Sequence, residues 1–137
     1  MDYVDEIKER DKDNDKYLDI YFEWLKSQHL SKQTVDKHYM NADYYITSYL
    51  NYSEFTPMEK GCLLIDDFFN DFYIRKNVRA TPSSISSIAT SLIKFYFCMY
   101  KHGFVGKKDY DKFCITIDMN MNDWKENLID YQLEFED

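Results

Sequence analysis

The chain has 137 residues, enough for one domain's core and not for a second. Hydrophobic residues at 45% and aromatics at 18% exclude a disordered tail, while three Gly and two Pro are too few for the turns of an all-β fold. A formal charge of −8 argues against indiscriminate attraction of the whole surface to nucleic acid.

Helical spacing of apolar residues dominates the pattern. A first helix is predicted from about Asp15 to Gln28, with Tyr17, Leu18, Tyr21, Phe22 and Leu25 on one face. Ser31 reads as the N-cap of a second, whose inward positions are Val35, Tyr39, Ala42, Ile46 and Tyr49 or Leu50. Thr56-Pro57-Met58-Glu59 predicts a third start, with Thr56 as N-cap, Pro57 at N1 and Glu59 closing a capping box. Cys62, Ile65, Phe68 or Phe69, and Phe72 continue it as a buried stripe. Thr81-Pro82 repeats the cap-then-proline signal for a fourth helix carrying Ile85, Ile88, Leu92, Phe95, Tyr96 and Met99. Lys101, His102 and Gly103 supply its C-terminal cations and its left-handed stop. A short fifth helix is expected over about Lys108 to Ile117. A final one is expected from Asn122, carrying Trp124, Leu128 and Tyr131. The predicted class is all-α: one domain over 1–137, a four-helix bundle over about 15–105 and an acidic helical tail over about 107–137.

Charge is unevenly placed. Residues 72–108 hold seven Lys or Arg and no Asp or Glu, between a stretch of −4 over 54–71 and one of −7 over 109–137. Either the basic middle binds an anionic partner, or the acidic tail folds back and neutralises it.

Other constellations carry less chemistry. Asp11, Asp13, Asp15 and Asp19 space like a calcium loop, but Lys16 replaces its turn glycine and Phe22 its closing glutamate, so a solvated helix start is the better reading. His29, His38 and His102 lack the spacing of helix-borne metal ligands. Asp66, Asp67 and Asp71 read as a solvated helix face, and no phosphate-loop, dinucleotide or hydrolase motif occurs. Cys62, Cys98 and Cys114 lie among apolar neighbours and read as reduced thiols. The acidic N-terminus lacks the apolar run of a signal peptide, and no stretch is long and uncharged enough to span a membrane. A cytoplasmic location without membrane contact is therefore expected. Tyr44, Tyr45, Tyr49, Tyr52, Tyr73 and Tyr100 exceed what a small core holds, so some should lie at the surface, as the rim of the core or as an interface patch.

Tyr21-Phe22-Glu23-Trp24-Leu25 followed by His29-Leu30-Ser31-Lys32-Gln33-Thr34-Val35 resembles the entry to the core-binding domain of tyrosine recombinases and phage integrases. Ile65-Asp66-Asp67-Phe68-Phe69 resembles that domain's third helix. Thr81-Pro82-Ser83-Ser84-Ile85 through Leu92-Ile93-Lys94-Phe95-Tyr96-Phe97-Cys98-Met99, then His102-Gly103-Phe104-Val105, resembles its fourth. The likeness spans roughly residues 17–105. It implies a SAM-like four-helix bundle whose second and fourth helices lie against the DNA major groove.

The family's catalytic domain has no counterpart here: the only arginines are Arg10, Arg75 and Arg79, and there is no His-x-x-Arg. A tyrosine nucleophile needs such cations around the transferring phosphoryl group, so no enzymatic activity, catalytic residue, metal or cofactor is expected. What remains is a non-enzymatic module for double-stranded DNA. Lys32, Gln33, Lys37, Arg79, Ser83, Ser84, Ser87 and Lys94 would lie at the groove, and Arg75, Lys76 and Lys101 on phosphates. His38, Asn41, Ser86, Thr90 and Ser91 also fall on the outward faces of the two helices. The alternative is a protein-interaction module, or an acidic nucleic-acid mimic, that meets a basic protein partner.

Overall fold

The computed structural model describes residues 2–52 and 54–135, and every regular element among them is helical. The all-α expectation therefore holds. In chain order the elements are α1 (Tyr3–Lys26), α2 (Lys32–Asp43), α3 (Met58–Gly61), α4 (Ile65–Asp67), α5 (Tyr73–Lys76), α6 (Pro82–Lys101) and α7 (Lys107–Glu134). Wider π-helical turns extend α2 over Tyr44–Tyr49 and join α4 to α5 over Phe68–Phe72. No described helix is long and apolar enough to cross a membrane.

The central element is α6, with α1, α2 and α7 packed around it. Its start is the one the sequence predicts. The Thr81 hydroxyl accepts from the Ser84 amide, the Ser84 hydroxyl accepts from the Thr81 amide, and Pro82 follows the cap. Gly103, at φ +81°, ends it. Ile85, Ala89, Leu92, Phe95, Tyr96 and Met99 face the core from α6. Around them pack Leu18, Tyr21 and Leu25 of α1, Val35 and Ala42 of α2, and Phe113, Ile117, Trp124 and Leu128 of α7.

Three predicted boundaries change. The first helix begins at Tyr3 rather than near Asp15, because its first turns need no buried face. The Asp2 side chain accepts from the Asp5 amide at 2.9 Å, and the following acids suit a helix N-terminus. Asp11, Asp13 and Asp15 thus lie within a helix and not in a loop. The third helix is divided. Pro57, not Thr56, is the cap of a single turn, and the chain turns at Cys62–Leu64 before restarting at Ile65. Buried tyrosines flank the break: the Tyr45 phenol donates to the Gly61 carbonyl at 2.6 Å, and the Tyr49 phenol donates to the Asp67 carboxylate just beyond the restart.

The third change concerns the tail. The two short helices expected after Lys107 form one helix of 28 residues. Its Trp124 indole donates to an Asp66 oxygen at 2.8 Å, and its Gln132 amide donates to the Ala80 carbonyl at 2.7 Å. The acidic tail is therefore a structural wall of the bundle. Positions 136 and 137 lie outside the described residues.

A candidate nucleic-acid interface

Beside the apolar Val35 and Ala42, α2 also turns polar residues toward α6. His38 Nδ1 lies 2.7 Å from Ser91 Oγ, and the Asn41 amide donates to the same oxygen at 2.9 Å. Ser91 returns its own proton to the Ser87 carbonyl at 3.2 Å. The small serine side chain allows the two helices to approach closely. Three residues further along, the Tyr44 phenol accepts from the Asn77 amide at 3.0 Å, just before α6 begins, so α2 and α6 run antiparallel. The sequence places His38, Asn41 and Ser91 outward. The structure corrects this, with His38 and Ser91 buried and Asn41 half-buried, because α2 covers that flank of α6.

Cations gather at both ends of this seam. Lys37 and Lys94 both lie close enough to His38 to help hold its imidazole below the ordinary histidine range, although burial is the larger cause. At the other end, Lys76 and Arg79 border a hollow with Tyr73, Asn77 and Ser84. Between the ends lie the stripe of exposed Ser83 and Thr90 and half-buried Ser87 on α6 and the edge of Asn41 and Tyr44 on α2. From Ser83 to Lys94 the stripe is about 16 Å long at the helical rise. No carboxylate belongs to α6. On α2, Asp36 and Asp43 share the opposite edge with Tyr39, which packs on Phe22 of α1 and whose phenol burial and Asp43 push upward.

The expected DNA contacts divide accordingly. Lys37, Gln33, Arg79, Ser83, Ser87 and Lys94 lie along the seam or its rim, and Lys101 continues the α6 stripe two turns beyond Lys94 with its ammonium 5.9 Å from the Phe97 ring. Lys32 is exposed on the far edge of α2, with Asp36. The Ser84 hydroxyl is engaged by the helix cap and by the Tyr73 phenol at 2.7 Å. Arg75 turns away: its guanidinium holds Asp71 at 2.6 and 3.3 Å, in a hollow that Asp130 and Glu134 of α7 also border. That pairing holds the Asp71 carboxyl below its usual range. Lys76 rests 4.7 Å over the Tyr52 ring, and its hydrogen bond holds that phenol below the usual tyrosine range. Asp71 thus neutralises Arg75, with the α7 acids beside that flank, and the α2 side of α6 is left open.

Elsewhere the structure redistributes expectations. Of the six surplus tyrosines, Tyr45, Tyr49 and Tyr73 are buried, Tyr44 and Tyr100 half-buried, and only Tyr52 exposed, so those six form no surface patch. Asp66, Asp67 and Asp71 are held by Trp124, Tyr49 and Arg75 in turn. Among the described residues no group of three or more His, Cys, Asp or Glu side chains is placed to hold a metal. Sequence reasoning missed a cleft of about 520 Å³ between α1 and the start of α3, lined by Glu6, Glu9, Asp13 and Glu59 around Arg10 and Tyr17. Glu6, Glu9 and Asp13 share one face of α1 at helical spacing, and the packing of the α3 start beside it adds Glu59.

The chain is thus an all-α protein with one carboxylate-free, cation-ended seam and one acidic cleft. Comparison with protein-family models, with curated proteins and with solved structures gives no match.

Proposed function

We propose that this protein is a non-enzymatic DNA-binding module that lays the seam between α2 and α6 along a duplex, in the manner implied by its resemblance to integrase core-binding domains. The supporting observation is the pairing of Lys37 with Lys94 at one end and Lys76 with Arg79 at the other, across about 16 Å of neutral hydroxyl and amide groups. Hydroxyls and short amides let a helix approach a phosphate backbone closely, while the cations draw it in. Base reading would fall to Gln33, whose amide suits an adenine edge. Charged phosphates supply most of such affinity, and an overall charge of −8 confines binding to this face.

The test is fluorescence anisotropy of a labelled random-sequence duplex with the full chain. Four phosphate contacts predict a fall in affinity of about a hundredfold between about 50 and 200 mM salt. Lys37→Ala with Lys94→Ala should flatten that salt dependence by about two counterions. Lys32→Ala and Arg75→Ala should leave it unchanged. Absence of binding by the folded chain at low salt sinks the reading.

A second reading, a module for a basic protein partner, draws on the acidic cleft of Glu6, Glu9, Asp13 and Glu59. It gains if Glu9→Lys with Asp13→Lys abolishes capture of a polylysine probe while duplex binding is absent.

A further inference from the structure

α7 carries a second apolar face, directed away from the bundle. Ile115, Met119, Ile129 and Leu133 are 58%, 74%, 43% and 56% exposed. With exposed Asn122 and Glu126 they recur at alternating intervals of four and three residues, the spacing of a helix that pairs with another along its length. The core face of the same helix, through Phe113, Ile117, Trp124 and Leu128, is already occupied. The outward stripe is thus surplus to the fold.

The stripe reads the same in both directions about position 124: Ile115 matches Leu133, Met119 matches Ile129 and Asn122 matches Glu126. Such self-complementarity is what a two-fold contact requires, where one patch meets its own copy. We propose that the occupant of this face is a second copy of the chain, with the two α7 helices antiparallel and crossing at Trp124. Ile115 and Met119 of each copy then pack on Leu133 and Ile129 of the other. The Asn122 amide donates to the second copy's Glu126 carboxylate, twice over. A parallel pairing would instead set Glu126 against Glu126 inside the seam. Two helices paired along this stripe, about 27 Å at the helical rise, remove on the order of 1,000 Å² of accessible surface from water, the lower limit for a specific association. The closest cross-copy repulsion, Asp123 against Asp123, adds to the −8 carried by each chain. Salt consequently tightens the dimer.

Sedimentation equilibrium of the full chain, from a few to several hundred micromolar, tests this. The wild type should dimerise, and Met119→Lys with Ile129→Lys should weaken the dimer at least tenfold while circular dichroism shows an unchanged fold. Asn122→Lys tests the register: antiparallel pairing sets the new ammonium against the second copy's Glu126 and should tighten the dimer, whereas parallel pairing sets lysine against lysine. A wild-type chain monomeric throughout, a dimer indifferent to the double substitution, or loosening by Asn122→Lys overturns the proposal.

Discussion

Gly61 shows how tightly single residues are specified. A Cβ built there lies 2.5 Å from the Tyr96 phenol oxygen and 2.6 Å from a Leu50 methyl. Both neighbours are held: Tyr96 is fully buried and donates to the Met58 carbonyl at 2.9 Å, and Leu50 is buried beside it. Gly61→Ala should therefore destabilise the fold by about 1–3 kcal/mol through overpacking, read as a lowered urea midpoint. His38 makes a second prediction at this scale. Burial, then Lys94 and Lys37, lower its folded-state pKa, so the unfolded chain binds a proton near pH 6.5 that the folded chain resists. Stability must then fall as pH drops below about 6.5, until the lowered folded-state pKa is passed. His38→Asn keeps a short polar group beside Ser91 but does not titrate. Urea midpoints of the variant should lack the part of the decline between about pH 7 and pH 5 that the wild type shows. Equal declines in both proteins would remove His38 as its source.

At the scale of elements, α7 is the least expected feature and the most consequential. It places Phe113, Ile117, Trp124 and Leu128 in the core. Losing four buried side chains, at about 2–5 kcal/mol each, exceeds the usual 5–15 kcal/mol of a whole domain toward its lower end. A chain ended after Lys108 should show no cooperative thermal transition by circular dichroism; a sharp one would mean that the other helices form a core unaided. Because α7 completes the core, the charge of the tail has to be altered by substitution and not by removal when DNA binding is measured. Helix starts at Ser31 and Thr81 were legible because a cap followed by an apolar period is a local signal. The division at Cys62–Leu64 was not, because the apolar period of Cys62, Ile65, Phe68 or Phe69, and Phe72 runs through it. Nor was the continuity of α7 legible, since its two apolar faces interleave and blur any single period. For the candidate site, helical spacing identified Lys37, Ser87 and Lys94, but burial of His38 and Ser91 depends on how close α2 comes to α6. Diversion of Arg75 depends on Asp71 one turn away.

On the scale of the whole molecule, charge divides the surface into regions that respond to salt in opposite senses. The α2–α6 seam presents Lys37, Lys94 and Arg79 with no carboxylate on α6, while the outward face of α7 is edged by Asp118, Asp123 and Asp130 with Lys125. Attraction of a polyanion to the first weakens as ions screen it; repulsion between two copies of the second weakens as well. Raising salt from about 50 to about 500 mM should therefore release duplex while tightening the dimer. The two effects are separable by substitution, because the stripes lie on different helices and face different ways. Lys37→Ala with Lys94→Ala should weaken duplex binding, reduce its salt dependence by about two counterions and leave the sedimentation behaviour unchanged. Met119→Lys with Ile129→Lys should do the reverse, apart from an added nonspecific pull of its new cations on DNA. If one pair of substitutions eliminated both signals while circular dichroism stayed unaltered, the regions would be a single surface and this division of the molecule would fail.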